Sequence, residues 1–166
     1  MKSETHQQPR DSCTLCAVVH QSTQGAHRGY IATLAHSVVI LNAGQGCLGW
    51  CVLVLKEHAE HAADLPRASE MEFFAEAALV GRAIRAVFPD SGAGRVPPRI
   101  NYANLGNIVT HTHWHVVPRH ADDPEPKSLP WAWPADRQIG NVSEETRSKV
   151  RDQIAREIAN LSENKL

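Results

Sequence analysis

His111, His113 and His115 stand at i, i+2 and i+4 in the segment HTHWHVVPR, residues 111–119. In a strand this spacing turns all three imidazoles to one face, each roughly 7 Å from the next. Thr112, Trp114 and Val116 then face the opposite, covered side. Rings carried on a strand rather than a loop meet a substrate in fixed orientations. An imidazole with one nitrogen fixed by a hydrogen bond offers the other as a nucleophile, base or metal ligand near neutral pH. A competing reading places all three rings on one catalytic metal; successive same-face positions suit two ligands of one ion and strain for a third. His6, His20, His27 and His120 are expected to be ordinary partly exposed histidines.

The thiols form two pairs. Cys13-x2-Cys16 is consistent with two free thiols or two metal ligands. Cys47 and Cys51, around the start of an apolar run, are either alternative thiol ligands or small buried hydrophobes. With 42% hydrophobic and 21% charged residues in 166, the composition is that of one folded domain. A net charge of −1 supplies no basic field for nucleic acid or an anionic membrane. The polar start and the lack of a long apolar run predict neither a secretory signal nor a membrane span, hence a cytoplasmic protein with reduced cysteines.

Residues 1–12 are expected to be a flexible arm and 13–166 a single domain. Residues 29–42 suit two short strands or one bent strand, broken at His36 and Ser37, and a glycine turn follows. The nearly continuous apolar run 50–56 predicts a central strand covered on both faces. Residues 69–88 predict the main helix, opened by a Ser69-x-x-Glu72 capping box, with Met71, Phe74, Ala78 and Ile84 at helical spacing and Pro89 as the stop. After a loop over 89–98, strands are expected at 99–102 and 109–117, with Pro118 ending the second. Four prolines make 121–141 an extended, non-helical segment. Ser143 caps a last helix over 143–162 whose Val150, Ile154, Ile158 and Leu161 form an apolar stripe in need of a partner surface. The order of elements predicts an α+β fold: an antiparallel sheet with one long central helix and a C-terminal helix.

The stretch INYANLGNIVTHTHWHVVPR resembles the signature of the histidine triad (HIT) superfamily of nucleotide hydrolases and transferases, His-x-His-x-His followed by two apolar residues and commonly Pro-Arg. LVLKEHAEHAADL is similar to that family's strand ending in Lys-x-His ahead of its central helix, and CTLC to the Cys-x-x-Cys of its zinc-containing branch. The ordered match runs over about residues 13–120 and is similar to diadenosine tetraphosphate hydrolase-like members. The resemblance implies that His113 attacks the α-phosphorus of a nucleotide ester, anhydride or phosphoramidate to give a nucleotidyl-histidine, resolved by water or another acceptor. His115 would contact phosphate oxygens and stabilise developing charge. Asn101 and Asn107 match positions of amides near the phosphates, and Asn42 the residue that holds the ribose hydroxyls. It further implies a structural zinc on Cys13, Cys16, His58 and His111, with His61 the competing ligand, and a homodimer.

Trp50, Leu55, Thr110 and Ile108 depart from the family's common pattern, which leaves the nucleophile in place but opens the question of the leaving group. Trp131 and Trp133 are expected in core or interface packing or lining the nucleotide pocket. The expected activity is hydrolysis or nucleotidyl transfer on dinucleoside polyphosphates or adenylyl conjugates, with a small nucleotide rather than nucleic acid or membrane as partner. The alternative is a nucleotide sensor or partner-binding module with negligible turnover.

Overall fold

Apolar runs too short for helices and nearly free of polar residues become the sheet's interior strands. In the computed structural model, which describes residues 12–88, 98–121, 123, 125 and 127–163, the strands β2 (Ser37–Leu41) and β3 (Cys51–Leu55) are buried at every position. Strand β1 (Tyr30–Thr33) pairs with β2 as a hairpin, and β4 (Arg99–Ala103) with β5 (His113–Arg119). All neighbours are antiparallel in the order β1-β2-β3-β5-β4, so the histidine-bearing strand lies between β3 and the edge strand β4. This is the expected α+β architecture, an antiparallel sheet with a long central helix and a C-terminal helix. No helix among the described residues is long and apolar enough to cross a membrane.

Helices α2 (Arg67–Val87) and α4 (Glu144–Glu163) cover one face of the sheet. Phe73, Ala77, Val80 and Ile84 of α2 and Val150, Ile154 and Ile158 of α4 close a core over Val39, Leu53 and Val116. At Gly81 the helix comes so near the sheet that an added Cβ would meet the Tyr102 hydroxyl, so a larger residue there would have to displace that ring. Glu76, buried in α2, accepts hydrogen bonds from the His36 backbone N–H (2.7 Å) and the Ser37 hydroxyl (2.6 Å), tying the β1–β2 turn to the helix. The opposite face carries helix α1 (Thr14–Thr23), whose Leu15, Val18 and Val19 cover Val38, Ile40, Val52 and Val54.

Several expectations are corrected. The main helix begins at Arg67 behind Pro66, not at Ser69, and has no side-chain cap; Glu72 instead pairs with His36. Its buried stripe runs through Phe73 and Ala77, while Met71 and Phe74 are exposed. Strand β5 starts at His113 and continues through Pro118, because pairing with β3 has already ended at Val116 and a missing N–H there costs no ladder bond on that side. Within 121–141, Pro134 precedes a short helix α3 (Ala135–Ile139), proline being tolerated ahead of the first turn. Ser143 does cap α4, accepting from the Thr146 N–H at 3.2 Å. The α4 stripe is buried against α2 and β1 of the same chain, so it calls for no second copy. The loop after Pro89, Pro124, Pro126 and the arm before Ser12 lie outside the described residues.

Candidate active site and metal centre

Antiparallel register decides which residues share the histidine face. His113 lies opposite Val54, His115 opposite Val52 and Ala103, and Val117 opposite Asn101. Directly opposed residues point to the same side of a sheet. His113, His115 and Asn101 therefore occupy the face away from α2 and α4, while Trp114 packs on Phe73 and Phe74 of α2.

Each histidine ring is held by a partner with a fixed hydrogen-bonding role. His113 Nδ1 lies 2.7 Å from the His111 carbonyl, which can only accept, so Nδ1 carries the proton and Nε2 keeps a lone pair. No described residue takes up that Nε2. The His113 carbonyl accepts from the Asn104 amide at 2.8 Å. His115 is the converse: the Trp50 indole N–H, which can only donate, reaches His115 Nδ1 at 3.2 Å, so the neutral ring carries its proton on Nε2. The two rings meet edge to face with centroids 5.0 Å apart, one offering a lone pair and the other a donor. Burial, reinforced by the neighbouring His113, pushes the His115 pKa down to about 4, so the ring is neutral at physiological pH.

His111 stands just outside β5 and serves the other side of the chain. Its Nε2 donates to the Leu55 carbonyl at 2.8 Å, leaving Nδ1 facing Cys13 Sγ and Cys16 Sγ, each at 3.5 Å. His58 Nδ1 lies 3.2 Å from Cys16 Sγ, and its Nε2 is buried without a partner among the described residues. The four ligand atoms lie within 4.8 Å of one another. Donors around one zinc at ordinary zinc–sulfur and zinc–nitrogen bond lengths sit about 3.3–3.8 Å apart; the two Cys–His111 separations of 3.5 Å are such tetrahedral edges, and the Cys16–His58 separation of 3.2 Å falls just below them. Two thiols and two imidazoles fill a closed set, and the Leu55 carbonyl sets the His111 tautomer as an outer-shell partner does. Burial lowers the His111 pKa, which favours the neutral form a metal ligand needs. With both nitrogens engaged here, His111 cannot join His113 and His115 on one ion.

His61 is exposed at the start of a 3₁₀ turn over Ala62–Asp64 and stays out of the cluster. Cys47 and Cys51 are buried thiols, Cys47 pushed up to about 11 and Cys51 higher still by burial, behaving as small hydrophobes. Asn42 donates to the Gly44 carbonyl at 2.9 Å and lines a cavity of about 220 Å³ with Trp50, Gln138 and Ile139. Asn107 is exposed in the loop before the triad.

Three contributors were not foreseen from sequence. Asn104 anchors His113 through its carbonyl. Gln45, fully buried, donates to the Asn42 and Trp50 carbonyls (2.9 and 3.1 Å) and accepts from the Gly49 N–H (2.9 Å), bracing the turn that delivers Trp50. Gly49 adopts φ +92°, and a Cβ there would lie 2.8 Å from the Phe88 ring. Trp50 is the third; the sequence marked it only as a departure. A glutamine inside a glycine tract was the available signal for this brace. Beyond Trp50 the wall continues through Trp131, whose ring meets those of Trp50 and His115 at 5.3 and 5.2 Å, while Trp133 is buried beneath Arg119. Arg119 and Asp123, both nearly fully buried, pair at 2.6 Å and hold this segment in place.

A family model described as HIT domain matches residues 27–122. Solved structures similar to the chain include a histidine triad protein from Sinorhizobium meliloti, 21% identical, with a TM-score of 0.65 over 92% of this chain and 98% of that one. A zinc-bound histidine triad family protein from Mycobacterium smegmatis is 26% identical, with a TM-score of 0.56 over 93% and 99% of the two chains. A hypothetical histidine triad nucleotide-binding protein from Sulfolobus tokodaii is 17% identical, with a TM-score of 0.65 over 90% and 94%. A comparison with curated proteins finds no match.

Proposed function

The chain belongs to the HIT domain family, whose members generally act on nucleotides, and on that premise we propose that it is a nucleotide hydrolase or nucleotidyltransferase working through a nucleotidyl-histidine on His113. The observation that carries this reading is the pairing of an Nδ1-anchored His113, its Nε2 lone pair untaken, with a His115 whose proton sits on Nε2. In the first step the His113 Nε2 pair forms an N–P bond to the α-phosphorus while the bond to the leaving group breaks in line. The His111 carbonyl stabilises the positive charge that the ring acquires. His115 Nε2–H donates to an oxygen on which negative charge grows. Water or another acceptor then displaces the ring and returns the electron pair to Nε2.

Asn101 shares the histidine face and is assigned to the phosphates, with Asn107 on the flanking loop. Asn42, beside the cavity at Trp50, is assigned to the ribose. Dinucleoside polyphosphates and adenylyl conjugates are the proposed substrates. The proposed zinc, on Cys13, Cys16, His58 and His111, would be structural, a closed site that fixes the start of the domain to the segment leading into β5. Pairing into a homodimer belongs to this reading through the family resemblance alone.

The test is mononucleotide release from a panel of dinucleoside polyphosphates and adenosine phosphoramidate by wild type and His113→Ala. Release by wild type, reduced at least ~10³-fold in a folded His113→Ala variant, is the expected result. Nucleotide binding with no release above the variant's background would make the site a binding module instead.

A further inference from the structure

His115 is offered to the reaction with its far nitrogen already occupied. Trp50 is 3% exposed, its indole N–H meets His115 Nδ1 at 3.2 Å, and its backbone is fixed by Gln45 and the Gly49 turn. An indole nitrogen has no acceptor capacity, so the contact requires a bare lone pair at Nδ1. A doubly protonated ring would set two N–H groups head to head in a site that Trp131 closes further, 5.2 Å from the His115 ring. The sole proton on His115 is then the one at Nε2, and a neutral imidazole that surrendered it would become an imidazolate. Such a ring donates a hydrogen bond but does not deliver a proton.

Resting on the nucleotidyl-transfer reading above, we propose that Trp50 is a positioning residue that locks His115 as a pure hydrogen-bond donor and so makes the site selective for phosphoanhydrides, whose leaving group departs as an anion, over phosphoramidates. With an anhydride, the His113 Nε2 pair forms the N–P bond, the P–O bond breaks, and its electron pair stays on the departing phosphate oxygen, which accepts the His115 Nε2–H hydrogen bond; no proton moves. Water then forms the new P–O bond, the N–P pair returns to Nε2, and the proton lost by water passes to solvent. With a phosphoramidate, the P–N bond breaks toward an amine that must gain a proton as it leaves. Neither ring of the pair offers it a ready proton: the one on His113 is held by the His111 carbonyl and the one on His115 is its last.

The test replaces Trp50 with 3-benzothienyl-alanine, which keeps the bicyclic shape and removes the N–H, and, as a genetically encoded counterpart, with Trp50→Phe. Long-range ¹H–¹⁵N spectra at neutral pH read the His115 tautomer directly and do not depend on turnover. The wild type is expected to show Nε2–H alone, with Nδ1 pyridine-like, and the variants a mixture. The ratio of kcat/KM for diadenosine polyphosphate over that for adenosine phosphoramidate is expected to fall at least ~10-fold in the variants, as His115 becomes able to bind a second proton and act as a general acid. A wild-type His115 protonated on Nδ1, or a mixture of tautomers, overturns the lock. An unchanged substrate ratio in an active variant, or a wild type that cleaves both substrates equally well, overturns the selectivity. Absence of turnover on either substrate in wild type overturns the nucleotidyl reading together with the selectivity, while the spectrum still decides the Trp50 contact.

Discussion

At the scale of single residues, the three triad histidines share a sequence pattern but differ in the nitrogen that is held or in whether its partner accepts or donates. A carbonyl on His113 Nδ1 frees a nucleophilic Nε2, an indole on His115 Nδ1 leaves an Nε2 donor, and a carbonyl on His111 Nε2 turns Nδ1 toward two thiols. None of these partners is visible in the repeat itself, because each comes from backbone or from a residue distant in sequence. The buried neutral His115 also leaves a mark on stability. The unfolded chain binds a proton there as pH falls through about 6.5, whereas the folded protein does so only near about 4. The unfolded state therefore holds more protons in that window, and stability drops as pH is lowered through it, by at most about 1.4 kcal/mol per pH unit from this group. Urea midpoints between pH 6.5 and 4.5 should decline less steeply in His115→Asn than in wild type; parallel slopes would assign the loss to other groups.

At the scale of elements, what was legible followed from local pattern. The apolar runs of β2 and β3, the hairpin break that ends at His36, and the Ser143 cap are properties of contiguous residues, whereas Ser37, expected in the break, is the first residue of β2. Boundaries set by distant contacts were not legible. His111 and Thr112 look like strand residues, but the Thr112 N–H goes to the Ala59 carbonyl (2.7 Å) and the His111 ring to Leu55 and the thiols, so β5 begins later. Helix α1 carries Leu15, Val18 and Val19 in the short apolar run LCAVV, which periodicity alone does not assign to helix or strand until the sheet face supplies its partner. The resemblance of the Lys-x-His and Cys-x-x-Cys segments to the zinc-containing branch did indicate the four-residue cluster, whereas the residues alone left His61, Cys47 and Cys51 as alternatives, because ligand geometry is not local. The β4–β5 connection carries a prediction of its own. Asn104→Ala removes the hydrogen bond to the His113 carbonyl, costing about 1 kcal/mol of stability and lowering kcat more than it raises KM. Steady-state kinetics beside thermal melts check this split.

At the scale of the whole molecule, the sheet separates structure from chemistry. One face is sealed by α2 and α4, and the other holds α1, the Cys2His2 cluster, the paired rings of His113 and His115, and the tryptophan wall. His111 of the Cys2His2 cluster and His113, the proposed nucleophile, are separated by the single residue Thr112, so removal of a bound zinc should act on both. Chelation is expected to lower Tm by on the order of 10 °C and to reduce activity with it, and Cys16→Ser should reproduce both effects; metal analysis should give one zinc per chain. A chelated protein with unchanged Tm would remove the structural role assigned to the cluster. The central claim, a covalent nucleotidyl-histidine, is tested most directly by the stereochemical course at an α-phosphorus made chiral with sulfur and oxygen isotopes. Two in-line displacements, at His113 and then at the acceptor, predict overall retention of configuration; inversion would show a single direct displacement by the acceptor and contradict the account.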